Sequence, residues 1–446
     1  MKSTIKTTFR QTEIGVIPEN WDLKKLGEIA DKIFVGRDPI GGKQSHSPTR
    51  TGYHIIQSAP IFDGHLDEAK IGNISEELYN GLQAVSVKEG DVLLNQLGDG
   101  ITFARSCVAP KSALPAVVTR SVGVIRCNER KLDPWFLNAY LTLPRTKKYI
   151  ESFNSGSSRR AIDGSKMRSF FIPLPPIVEQ NAIGFFYKAI QYKIELNQKM
   201  NKTLESIAQV IFKHWFIDFE FPDENGKPYR SSGGEMVYIE EFGKEIPVGW
   251  VTKELTEIAM VVDCLHTKKP EMVDQGPILL QFYNLSQEHS LDLSEEYRVS
   301  IEDYELWTRN ITVKEGDLLF TNAGGQKLAK VPYWFEGGIG RNLTAVRPAH
   351  IDNLYLFRFF LSSLGTQQIY KNIDEGTILN SLNVKGIRKL RVIVPLQEIQ
   401  SGFARVIKGV QSRIETNLDM NRNLAQIRDL LLPKLMSGKI RVPLEA

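Results

Sequence analysis

Residues 36–43, GRDPIGGK, come near a phosphate-binding loop. Such a loop, GxxxxGK followed by Ser or Thr, cradles phosphates on backbone N–H groups and holds magnesium through the hydroxyl. Here one residue too many precedes Lys43, and Gln44 stands where the hydroxyl is needed. No GxGxxG turn opens a helix, and there is no HExxH or GxSxG. Pro175-Pro176 follows Leu174, without the Asn or Asp that amino-methyltransferases place before a proline pair. His46, His54 and His65 have no close cysteine partners, and the second half has His266 and His289 at different places. They read as loop histidines rather than metal ligands. The expectation is a chain without catalytic residues, metal or cofactor of its own.

What remains is a set of basic and amide side chains in polar, glycine-rich stretches. Arg, Asn and Gln can bind guanine and adenine edges through two hydrogen bonds, while Lys and Arg hold phosphates. In the first half the candidates are Arg37, Lys43, Arg50, Gln57, Gln96, Arg105, Arg120, Arg159 and Arg160. In the second they are Lys268, Lys269, Gln281, Asn322, Lys327, Lys330, Arg341 and Arg388. The stretches after Leu94 (NQLGDGITFAR) and after Phe320 (TNAGGQKLAK) occupy equivalent positions and differ in content.

That equivalence comes from a tandem duplication. Ile17-Pro18-x-x-Trp21 recurs as Ile246-Pro247-x-x-Trp250, and VKEGD at Val87–Asp91 recurs at Val313–Asp317. Arg120 and Arg126 match Arg341 and Arg347, and Gly156–Trp215 aligns without a gap on Gly376–Leu435. Such self-similarity must be found before any fold is assigned. Each copy opens with short apolar runs broken by turn formers, such as Tyr53–Ile56, Val92–Leu94, Val122–Ile125 and Gly316–Phe320. A helical pattern occupies Pro134–Tyr149 and Leu354–Ile369. This predicts a mixed α/β globular domain at 17–173 and again at 246–394.

Each copy then changes texture. After Pro175-Pro176 and after Pro395, proline is absent for over 35 residues and apolar residues keep a seven-residue rhythm. This is coiled-coil spacing, in which seam residues face a partner helix. Ile190, Ile194, Asn197, Asn201 and Leu204 lie on the seams of the first helix, and Val410, Ile414, Asn417, Asn421 and Leu424 on those of the second. A seam asparagine costs stability but selects register. The matched pairs predict that the two helices pair antiparallel. About 38 residues at ~1.5 Å rise give a rod of roughly 57 Å. The fold expected is α+β: two mixed α/β domains separated by two long antiparallel coiled-coil helices, with the pseudo-two-fold symmetry of a duplication. Residues 1–16 form an N-terminal segment, 174–222 the central helix, 223–245 a Gly/Pro/Ser-rich linker, and 395–446 the C-terminal helix and tail.

Composition adds little. The 446 residues are 42% hydrophobic and 24% charged, with a net charge of +4, compatible with nucleic acid without establishing it. Three scattered cysteines form no disulfide framework. With no apolar run near ~18 residues and no signal-like N-terminus, a cytoplasmic location is expected.

With IPENW and IPVGW opening the copies, the repeated VKEGD, LPPIVEQ (174–180) and the looser VPLQEIQ (394–400) heading the helices, KHWFIDFEFP closing the first helix and KLMSGKI near the end, the chain resembles the specificity subunits of type I restriction-modification systems. The resemblance spans 14–442. It implies two target-recognition domains, each reading one half of a split double-stranded DNA target. It also implies that the helices act as a spacer and dock two modification subunits, which bind S-adenosylmethionine and methylate adenine. Two restriction-translocase subunits, using ATP and Mg, would join these. The alternative is a coiled-coil protein-binding scaffold without DNA recognition.

Overall fold

The computed structural model describes residues 8–40, 47, 51–155, 160–322, 325–374 and 381–442. These fall into two compact units. The first comprises 1–196 with 423–446, the second 197–422. Each contains one globular head and a stretch of both long helices. Among the described residues no helix is long and apolar enough to cross a membrane.

The heads share one scaffold, as the repeat requires. In the first, four antiparallel strands lie in the order Ser106–Val108, Val92–Asn95, Val122–Cys127, Ala30–Val35. In the second, Leu328–Lys330, Leu318–Thr321, Leu343–Pro348 and Ala259–Asp263 repeat that order. The repeated VKEGD sits at the turn entering one central strand, with Gly90 and Gly316 at φ +84° and +89°, where an L side chain would be strained. Its aspartate does the rest. Asp91 accepts the Lys88 backbone N–H at 2.8 Å and the Arg126 guanidinium at 2.7 and 2.8 Å. Asp317 repeats this with the Lys314 N–H at 2.9 Å and Arg347 at 2.6 and 2.8 Å. Each carboxylate keeps its arginine's pKa above the ordinary value. The shared Asp and Arg are therefore an internal brace of the scaffold.

The helical pattern after the sheet is two helices in each head rather than one. Pro134–Thr142 and Pro144–Glu151 are separated at Leu143, extended ahead of a proline. Asn353–Leu361 and Ser363–Lys371 are separated at Ser362, which caps the second through its hydroxyl. Gly316 likewise lies in the turn before the Leu318–Thr321 strand rather than in it.

The long helices span Ile177–Phe212 and Gln397–Met436, the first continuing through a π-helical turn at Lys213–Ile217. One glutamine fastens each start to its own head. Gln180 accepts the Asp133 N–H at 3.1 Å and donates to Pro175 O at 2.8 Å. Gln400 accepts the Asp352 N–H at 2.9 Å and donates to Pro395 O at 2.8 Å. In the second unit the helices pair antiparallel. Asn197 donates to Asn421 and Asn417 to Asn201, each at 2.8 Å, while Asn201 donates to Ile414 O at 3.3 Å. The duplication maps this tetrad onto itself, because Asn197 and Asn201 are the counterparts of Asn417 and Asn421. Ile414 is buried on this seam, whereas Leu204 and Val410 are half-buried. In the first unit Ile190 is buried, Ile194 and Leu424 are half-buried, and Arg428 donates to Gln191 at 3.0 Å.

The segment read as a linker is folded. Phe221 stacks on Trp250 and Tyr229 at centroid distances of 5.3 and 4.7 Å, and Met236–Ile239 pairs with Lys244–Pro247. Its aromatic side chains join the core of the second unit, which outweighs its Gly and Ser content.

The amide tetrad yields a prediction. Asn201→Ala leaves a buried amide of Asn417 without its partner, which costs about 1–3 kcal/mol. Asn417→Ala should cost a similar amount, and the double variant should lose less than the sum of the two. Urea unfolding of the three variants checks this; strict additivity would contradict the pairing.

Candidate nucleic-acid interface

In the first head, loops converge where the strands end. Arg37 N–H donates to Val118 O at 3.0 Å, Thr119 N–H to Ile56 O at 3.1 Å, Gln96 N–H to Ser121 O at 3.1 Å, and Ile162 N–H to Gln96 O at 3.0 Å. These bonds bring Arg37, Gln57, Arg120 and Arg160 to one loop cluster. Gly36 permits the close approach: a Cβ there would stand 2.2 Å from Val118 O. This glycine thus serves backbone packing, while Lys43 and Arg50 lie outside the described residues, as does Arg159.

Arg37 is exposed, and Gln57 is half-buried. Arg120 is exposed and pairs with Asp38 at 2.7 Å, and Arg160 pairs with Glu151 at 2.8 Å. Exposed pairs of this kind are worth ~0–1 kcal/mol, so a phosphate can compete for either arginine. Asp99 shapes the loop between them. It accepts the Thr102 N–H and hydroxyl at 2.7 and 2.8 Å and the Ile101 N–H at 3.0 Å, bonds that hold its carboxyl below the usual range. Arg105, at the loop's base, is half-buried with its guanidinium 5.0 Å from the centre of the Phe62 ring.

The second head assembles the equivalent strand ends with different side chains. Arg341 Nε donates to Thr267 O at 3.1 Å, which ties it to the loop carrying the exposed Lys268 and Lys269. Lys269 lies 4.0 Å from the centre of the Tyr297 ring. Asn322 N–H donates to Asn342 O at 2.9 Å, and its side-chain oxygen accepts from the Thr344 hydroxyl at 2.9 Å. Lys327 is half-buried, and its N–H donates to the Thr321 hydroxyl at 2.9 Å. Arg388 is exposed on the short helix Val384–Arg388.

Three of the expected contact residues are buried. Lys330 is buried and donates to Glu415 of the second long helix at 2.7 Å, a partner no local pattern reveals. Glu415 in turn accepts from Gln411, and Gln411 accepts from Arg358, so this lysine belongs to a buried polar network. Gln96 is buried and donates to Arg120 O at 2.5 Å. Gln281 is buried too, donating to Leu279 O at 3.0 Å, with its N–H held by Asn284. Gln96 and Gln281 hold backbone carbonyls from within, and Lys330 ties its strand to the long helix. Asp38 and Asp99 are the acidic side chains that organise the first head's loops, and a carboxylate directly beside Arg37 is their signal in the sequence.

Two braced copies of one scaffold, with different side chains at equivalent loop ends, is the arrangement that decides among known proteins. Residues 18–206 match the family described as the type I restriction modification DNA specificity domain. The MjaIX specificity subunit of Methanocaldococcus jannaschii is 26% identical over 450 residues, covering 98% of this chain and 97% of that one. Over nearly its whole length the chain is similar to type I restriction enzyme specificity subunits, and its first half carries their DNA specificity domain. The HindI specificity subunit of Haemophilus influenzae is 23% identical over 453 residues, covering 86% of this chain and 94% of that one. The crystal structure of a type I S subunit from M. genitalium superposes with a TM-score of 0.57 at 13% identity, covering 96% and 97% of the two chains, and so shares the fold. These likenesses make the chain a DNA sequence-recognition component rather than a catalyst.

Substitutions should separate surface from core. Arg120→Ala and Lys268→Ala should weaken DNA binding, and a lost phosphate contact flattens the salt slope by about one unit. Lys330→Met should leave that slope unchanged. Binding titrations at several salt concentrations distinguish the two classes.

Proposed function

We propose that each head reads one half of a bipartite DNA target through its loop cluster, and that the long helices set the distance between the halves. The observation that carries this reading is the identical bracing of two heads whose loop ends differ: Arg37, Arg120 and Arg160 in one, Lys268, Lys269, Asn322 and Arg341 in the other. A reader of two different half-sites needs that combination. Half-buried Gln57 offers an amide suited to adenine edges, and the exposed Arg and Lys side chains suit guanine edges or phosphates.

The helices also serve as the docking frame for two modification subunits, which carry S-adenosylmethionine and methylate adenine, with restriction-translocase subunits supplying ATP- and Mg-dependent steps. This chain holds none of those cofactors in the proposed scheme, and the complex works in the cytoplasm.

Exchanging residues 17–173 for the corresponding head of another specificity subunit tests the division of labour. Methylation by the assembled complex should then change in one half of the target and keep the other half. A change in both halves would contradict one head per half-site.

A further inference from the structure

At the end of the Ala259–Asp263 strand, three side chains of different chemistry converge. Among the described residues, Asp263, Cys264 and His266 place one ligand atom each within 4.8 Å of one another. His266 Nε2 stands 2.8 Å from Asp263 Oδ2. The other carboxylate oxygen, Oδ1, lies 3.5 Å from the side-chain amide of Asn322. Cys264 is buried, and burial pushes its thiol up from the ordinary value. The cluster is thus held by Asn322 from another loop while His266, 76% exposed, opens it to solvent.

We propose that Asp263, Cys264 and His266 form a binding site for one zinc-class divalent cation in the second head. Thiolate, imidazole and carboxylate together are the ligand set of Zn²⁺ among common ions, since Mg²⁺ and Ca²⁺ take oxygen alone. Three protein ligands leave the fourth tetrahedral position to water. Binding replaces the His266–Asp263 hydrogen bond with two metal bonds, a rotation available to an exposed ring. The Cys264 thiol proton leaves to solvent as its sulfur ligates. Asn322 orients the carboxylate from outside the ligand set, the arrangement metal sites use to fix ligand geometry.

The site has a consequence for recognition. Thr267 separates His266 from Lys268 and Lys269, and Arg341 grips its carbonyl oxygen. An ion that pins both ends of Asp263–His266 orders the base of that loop and neutralises Asp263 beside the proposed DNA-reading side chains. In the first head Phe34, Val35 and Arg37 stand at the matching positions, so among the described residues the cluster occurs in the second head.

Co²⁺ titration of the full chain under reducing conditions tests the proposal, because a thiolate bound to Co²⁺ gives a sulfur-to-metal absorption band. One equivalent should bind with that band, and Zn²⁺ should displace it. Cys264→Ser should abolish the band and Cys107→Ser should retain it. His266→Ala alters an exposed ring and should fold normally, yet bind Co²⁺ more weakly. Asn322→Ala should weaken binding by roughly 10–100-fold. Absence of the band in the unaltered chain, its survival in Cys264→Ser, or unchanged affinity in His266→Ala would overturn the site.

Discussion

The antiparallel register of the two long helices is the constraint on which the second unit depends, and four asparagine side chains impose it. An amide in an apolar seam is tolerated where it meets another amide, and a shift by one turn would leave such groups unpaired at a cost of ~1–3 kcal/mol each. The register in which Asn197 meets Asn421 and Asn201 meets Asn417 also brings Phe212 and Trp215 onto Phe403 at 5.7 and 6.0 Å. It sets Gln411 and Glu415 opposite Arg358 and Lys330 of the head. Removing one partner from such a buried charged pair costs several kcal/mol, so the network specifies one orientation of head on helix even if its net contribution to stability is small.

The same division between fixed frame and free surface operates inside each head. The Asp91–Arg126 and Asp317–Arg347 braces, the two turn glycines and the glutamines at the helix starts are common to both copies. Loop content is where the copies part. Backbone hydrogen bonds such as Arg37 N–H to Val118 O and Asn322 N–H to Asn342 O join the loop ends in both heads, so exposed side chains there are free to differ without disturbing the frame. That is the physical basis on which one scaffold serves two recognition tasks.

Much of this was legible in the sequence, for identifiable reasons. The duplication survives as strings of residues, and the helices as a seven-residue period with matched asparagines. Strand positions such as Tyr53–Ile56 follow from short apolar runs between turn formers. The errors came where the deciding partner is remote. Lys330 belongs to a strand whose charge is answered by Glu415, 85 residues away. Gln96 and Gln281 look like loop amides because their carbonyl partners leave no mark in composition. Residues 223–245 look like a linker until Tyr229 stacks on Phe221, which in turn stacks on Trp250. Asp263 and His266 gave too weak a signal, since two residues at short spacing and one cysteine acquire meaning only when three loops meet.

The central proposal is that two unlike loop sets on one duplicated frame read two unlike half-sites. Mapping methylated adenines across a genome that carries this chain with a modification subunit tests it directly. The account predicts a single asymmetric motif of two specified blocks separated by an unspecified gap of constant length. A continuous motif, two identical blocks, or a gap of variable length would contradict it.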